Sequence, residues 1–289
     1  MKKPQWIVAT GALLLTVSLY ALTQNTVFGH HPKKISSSSA VTDSHEGHDH
    51  GNNNQIDTIL NHAKETLSAE QVTRINFLEN SISRGDVEDQ KSHIFHRLAR
   101  FWKDTARIFE PFAWYTAEAA RLENSENSLT FAAHLFLNNL KSEGNPQLKD
   151  WKAHQAKDLF ERSLKLNPAN DSAKVGLGAT HLFGFSENPM EGILKIREVA
   201  ERDSTNSYAQ MTLGQASMIS GQMEKAVERF KKVVQLQPNN LEALISLADV
   251  YERMGEKQKA ADWYKKSLPL IEIVGLRKEV ENRINELSK

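Results

Sequence analysis

One period constrains this chain more than any other feature. In the C-terminal half, Leu213/Leu247, Gly214/Ala248, Gly221/Gly255, Ala226/Ala260, Phe230/Tyr264 and Leu236/Leu270 are each 34 positions apart. Large apolar, small, turn-glycine, small and aromatic positions in that order describe two antiparallel helices. Such a pair cannot bury its apolar faces alone and must stack on copies of itself. The fold class that follows is all-α, a superhelix of antiparallel helix pairs. Arrays of this kind commonly bind other proteins rather than perform chemistry.

The clearest unit runs from Leu241, with Leu244, Leu247, Ala248, Tyr251, Gly255, Ala260, Tyr264 and Leu268 at the recurring places. The unit from Ser207 supplies Leu213, Gly214, Gly221, Ala226, Phe230 and Pro238, but carries Ser217 where an aromatic belongs, which predicts loose packing there. One unit earlier, Leu177, Gly178, Gly192 and Ile196 keep the pattern with two extra residues, placed in the loop around Phe183 to Pro189. Before it, Ala156, Phe160, Leu166 and Pro168 read as a second helix whose partner is Ser128 to Leu140, joined by the loop Ser142 to Lys149. Gly178, Gly214, Ala248, Ala226 and Ala260 are small because the two helices of a pair cross there, and larger side chains would push the backbones apart.

These units resemble tetratricopeptide repeats, and the resemblance implies a superhelix with a ligand groove along the first helix of each pair. Its lining positions correspond to Ser172, Val175, Ala179, Leu182 and Phe183, then Tyr208, Met211, Gln215, Met218 and Ile219, then Glu242, Ile245, Asp249, Glu252 and Arg253. The groove so predicted is apolar in the middle and charged at one end. Family members that clamp a chaperone's terminal carboxylate use Lys, Asn and Arg at such places, whereas this chain has Val175, Ala179, Met211 and Gln215. The expected ligand is therefore an apolar helix or extended peptide, to which methionines adapt well.

The remainder of the chain divides by composition. Lys2 and Lys3 precede an uncharged apolar run from Trp6 to Leu22, near the lower length limit for a membrane-crossing helix. We read it as an uncleaved anchor in preference to a removed signal peptide, since Val27-Phe28-Gly29 makes only a weak cleavage site. Charge asymmetry places its N-terminus in the cytoplasm and the remainder in the periplasm. The expected organisation is an N-terminal anchor over 1–29, a disordered tether over 30–55, a divergent helical front end over 56–127, the array over 128–270 and a capping helix over 271–289, where Leu276, Val280, Ile284 and Leu287 form one stripe. In the front end, Ser68-Ala69-Glu70-Gln71 forms a capping-box pattern before a helix Ala69 to Ile82, and helical patterns run from Asp86 to Ala106 and from Pro111 to Leu122.

Composition excludes several functions. The 36 basic and 36 acidic residues cancel, so nothing points to nucleic acid. Cysteine is absent, which removes thiolate nucleophiles and zinc–thiolate sites. The tether contains His45, His48 and His50 among acidic residues, with His30 and His31 nearby, a candidate metal-binding cluster; the competing reading is a soluble spacer. His93 and His96, three apart on an apolar helix, lack a third ligand and read as structural or surface residues. No HExxH, phosphate-cradling glycine loop or nucleophile elbow occurs, so no catalytic residue, cofactor or small-molecule substrate is expected. The layout resembles single-span repeat proteins of the Bacteroidetes cell envelope. It implies a membrane-anchored scaffold that binds a peptide or helix of a membrane or periplasmic protein, with a metal-handling envelope protein or a repeat subunit of cytochrome c maturation as alternatives.

Overall fold

The computed structural model describes residues 50–82, 88–185 and 189–289. Among these residues there are thirteen α-helices and no strands. The front end comprises α1 (His50–Glu65), α2 (Ala69–Ile82), α3 (Glu88–Arg100), a π-helical turn Phe101–Ala106 and α4 (Phe109–Glu123). Four antiparallel pairs follow: α5 (Glu126–Leu140) with α6 (Pro146–Leu166), α7 (Asp171–Gly184) with α8 (Pro189–Arg202), α9 (Ser207–Ile219) with α10 (Met223–Leu236), and α11 (Leu241–Arg253) with α12 (Lys257–Ser267). A short 3-10 turn, Leu268–Leu270, leads to α13 (Val274–Leu287), which packs on α12. Each pair contacts its neighbours in the chain, which is the one-dimensional stacking the period requires.

The small residues sit where the repeat needs them. A methyl group added at Gly214 would come within 2.4 Å of the Phe230 ring, so α9 and α10 approach as closely as they do only because no side chain stands between them. In the pair α7/α8, a methyl at Gly178 would lie 2.6 Å from Ile196 and 2.7 Å from the Gly192 carbonyl oxygen. Ala226, Ala248 and Ala260 are fully buried. Gly221 and Gly255 adopt φ of +74° and +78° at the turns, a conformation that L side chains rarely take.

The boundaries are drawn by capping side chains. Asn170, Asn206 and Asn240 accept from the backbone N–H of Ala173, Ala209 and Ala243, starting α7, α9 and α11 in the same way. The Ser68/Gln71 capping box forms reciprocally, with bonds of 2.9 and 3.3 Å, at the start of α2 as expected. Three elements depart from expectation. Helix α5 starts at Glu126, two residues before Ser128, because Ser125 caps it by accepting from Ser128 N–H. Helix α6 begins inside the expected loop, at Pro146, where Asn145 accepts from Gln147 and Leu148 N–H and the proline needs no hydrogen bond of its own. Helix α1 begins at His50, within the segment expected to be a tether, and packs on α4 with Ile56, Ile59 and Leu60 facing the core.

The helix expected from Asp86 to Ala106 is α3 followed by the π turn, which ends at Arg107 in a left-handed conformation. The wider turn buries two consecutive residues, Phe101 and Trp102, on one side. Of the aromatic residues between Phe95 and Phe136, Trp102, Tyr115 and Phe136 are core, whereas Phe131 is exposed. The final helix buries the expected stripe, Leu276, Val280, Ile284 and Leu287. No helix among the described residues is long and apolar enough to cross a membrane, and the run Trp6 to Leu22 lies outside them.

Candidate functional site

Helices α5, α7, α9 and α11 are the first members of successive pairs, and α5, α7 and α9 contact one another in order. Side chains from this row meet across the helices. The His134 ring on α5 packs edge-on against Phe160 and Tyr208, with centroids 5.0 and 5.6 Å away, and its Nε2 is 2.9 Å from Ser172 Oγ on α7. Burial, with Lys141 a smaller influence, lowers the His134 pKa, so the ring is neutral at neutral pH. The Tyr208 phenol is pushed up, first by burial and then by the Glu242 carboxylate.

Lys141, just past α5, retains exposed surface, yet the surrounding protein desolvates its ammonium and lowers its pKa, while Glu242 pulls in the opposite direction. Its Nζ lies 5.0 Å from the centre of the Phe183 ring. Gln215 on α9 donates from Nε2 to Glu242 Oε1 at 2.7 Å, and its own Oε1 is buried without a hydrogen-bond partner among the described residues. His134, Lys141, Tyr208, Gln215 and Glu242 thus form a polar and aromatic floor across three repeats.

At the other end, Tyr264 Oη donates to Asp249 at 2.5 Å and Arg283 of α13 donates to Glu252 through two nitrogens. Burial raises the Asp249 pKa, with the Tyr264 hydrogen bond, Arg253 and Arg283 opposing it. The charged end is consequently engaged by the capping helix, while Arg253 is exposed.

The expected groove residues do not share one environment. Leu182, Phe183, Tyr208, Gln215, Met218, Ile245 and Asp249 are half-buried, and Ser172, Ile219 and Glu242 are exposed. Val175 and Ala179 are completely buried: Val175 packs in the core with Ile196, Val199 and Leu213, because the superhelix presses α7 against the next pair. Met211, 7% exposed, also belongs to the core. These three offer little or no surface to a ligand. His134 and Lys141 carry no repeat signal: the second helix of their unit keeps Ala156, Phe160, Leu166 and Pro168, but α5 lacks the recurring residues by which groove positions are counted.

Of the candidate metal ligands, His45 and His48 lie outside the described residues, and His50 opens α1. No group of three or more His, Cys, Asp or Glu side chains able to hold a metal occurs among the described residues. His96 Nε2 lies 2.5 Å from Glu123 Oε1, and Glu123 also accepts from Ser92 and Ser128. His96 thereby ties α3 to the end of α4, a structural role. Hydrogen bonding from Ser128 and His96 outweighs desolvation and lowers the Glu123 pKa.

Residues 206–272 match the family model described as tetratricopeptide repeat. A human protein, RNA polymerase II-associated protein 3, is 23% identical over 149 residues, and the match covers 51% of this chain but only 22% of that protein. Among solved structures, a tetratricopeptide repeat protein from Parabacteroides merdae superposes with a TM-score of 0.54 at 13% identity, covering 82% of this chain and 86% of its own. A thermophilic TPR protein from Thermus thermophilus gives 0.52 at 15% identity, covering 67% of this chain and 99% of its own. Residues 206–272 are thus tetratricopeptide repeats, and the 34-residue period, the stacked pairs and the buried small residues give the array that contains them the same fold.

Proposed function

We propose that this protein is a non-enzymatic interaction scaffold, held at a membrane by the Trp6 to Leu22 segment with its repeats in the periplasm, and that its concave row binds a peptide or helix of another membrane or periplasmic protein. The repeat fold supports protein binding in general. The observation that carries the finer reading is Gln215: an amide oxygen buried with no hydrogen-bond partner among the described residues costs about 1–3 kcal/mol, and turning the amide of this half-buried side chain toward the backbone N–H of a bound segment would relieve it. Tyr208, packed on His134, and Phe183, beside Lys141, supply apolar contact area, and Lys141 and Glu242 supply charges of both signs that fix direction.

Crosslinked capture from membranes, read by mass spectrometry, tests the groove. Wild-type protein should enrich one defined partner, and Gln215→Leu or Lys141→Glu should lose it while retaining full helicity by circular dichroism. Unchanged capture by both variants would remove the groove from consideration. Topology is tested separately with alkaline phosphatase fused after Lys289, expected to be active; activity confined to a cytoplasmic reporter would reverse the orientation.

A further inference from the structure

A cavity of about 420 Å³ opens on the opposite face of α9 from Met211 and Gln215, between α8, α9 and α10. Its apolar walls are Met190, Ile193, Leu213 and Ala216, and Ser217 lines it beside them. The Ser217 hydroxyl donates to Leu213 O at 2.9 Å, back onto its own helix. One repeat later, 34 positions on, the same place holds Tyr251, 5% exposed, with Lys231 and Lys259 at 5.8 and 5.4 Å from its ring centre. Counting back 34 from those two lysines gives Arg197 and Lys225, and both line the cavity. One repeat earlier, with the two-residue extension counted, the place holds His181, a buried ring 5.6 Å from Phe185. The cavity is therefore a ring socket with its two flanking cations kept and its ring removed.

We infer that this socket accepts an aromatic side chain, tyrosine in the first instance, presented by a partner protein on the convex face. The cations match the electron-rich face of a ring; Lys225 donates to Gln222 Oε1 at 2.6 Å, and the carboxylates Glu201 and Glu228 also line the cavity, so the ring would meet a mixed-charge rim with Arg197 and Lys225 as its cationic contacts. Apolar surface continues past the mouth: Met190 and Leu194, one turn apart on α8, are 58% and 55% exposed. A free small aromatic would leave Leu194 in water, whereas a partner's backbone and neighbouring side chains would cover it. The site lies apart from the concave groove, so it stands or falls independently of the proposed function.

The test is a titration of the full chain, labelled with 13C-methyl methionine, using N-acetyltyrosinamide as probe and N-acetylleucinamide as control. The tyrosine probe should shift the Met190 methyl signal with roughly millimolar affinity, the scale of one buried ring. Ser217→Tyr, which restores the ring from within, should melt above Ser217→Ala and weaken the probe at least tenfold. Arg197→Gln combined with Lys225→Gln should weaken it several-fold and keeps the test available if Ser217→Tyr fails to fold. No shift, an equal shift with the leucine probe, or undiminished binding to folded Ser217→Tyr would overturn the socket. Binding of p-cresol without binding of the tyrosine amide would overturn the side-chain source in favour of a small molecule. Binding that appears only in the full chain carrying Trp6→Ala, Tyr20→Ala and Phe28→Ala would overturn the partner in favour of the protein's own N-terminal segment.

Discussion

At the scale of single residues, close contact decides what each position tolerates. Gly214→Ala would drive a methyl into the Phe230 ring, and since that ring is wholly buried the strain should cost about 1–3 kcal/mol. Phe230→Ala should cost about 3–5 kcal/mol through lost burial and the cavity left behind. Combining Gly214→Ala with Phe230→Leu should recover part of the first loss, and urea denaturation of the four proteins measures the coupling. Strict additivity would mean that the two side chains do not compete for the same space. Met211 and Met218 separate on the same grounds. The repeat pattern puts both on one face of α9, yet Met211 packs in the core while Met218 is half-buried at its margin. Met211→Glu should therefore lower the thermal midpoint sharply and Met218→Glu only mildly, and equal effects would contradict this placement.

At the scale of helices, the second half of the chain was legible because small and aromatic residues recur at fixed intervals, and the steric reason for each is visible in the contacts of Gly178 and Gly214. What the sequence concealed were interactions with no period. The start of α6 was hidden by a polar stretch, although Asn145-Pro146 is a cap followed by a proline free of any hydrogen-bonding need. The π turn at Phe101–Ala106 has no pattern of its own, and only the burial of both Phe101 and Trp102 reveals it. The concave floor was half read: Tyr208 and Gln215 follow from the repeat, but His134 and Lys141 belong to the α5 unit, where the repeat has decayed. The caps were readable and overlooked, since Asn206 and Asn240 are themselves 34 apart. Asn206→Ala and Asn240→Ala should each cost about 1 kcal/mol, and the double variant should cost their sum because the two caps share no partner. Denaturant midpoints with unchanged slopes check this.

At the scale of the whole molecule, the divergent front end is joined to the array by a shared apolar cluster, by Arg121 of α4 donating to Gln155 and Asp158 of α6, and by a buried charge. Lys152 on α6 is fully buried, 2.8 Å from Glu110 on α4, paired with Glu143 in the loop before α6, and 5.4 Å from the centre of the Phe109 ring. Burial alone would raise the Glu143 pKa, but hydrogen bonds from Lys152 and the Asn145 N–H outweigh it and hold it below the usual glutamate range. A carboxyl depressed in the folded state contributes stability that is present above its unfolded pKa and lost as the pH falls through its folded value. Lys152→Met keeps the apolar stem and removes the charge, leaving two partly buried carboxylates without their cation, at a cost of about 3–5 kcal/mol near pH 7. The sign of the pH response should then invert. With the Lys152 hydrogen bond and charge gone, burial draws the Glu143 pKa back up, so protonation relieves the variant as the pH falls from 7 toward about 4, while the wild type loses the Glu143 contribution toward the acid end of that range. The gap in thermal midpoint between the two proteins should narrow with acidification, and adding Glu110→Gln and Glu143→Gln to Lys152→Met should close part of it at pH 7. A gap that is constant with pH would show that Lys152 acts through packing on Phe109 alone, and that the front end and the repeats are held together by their other contacts rather than by this charge.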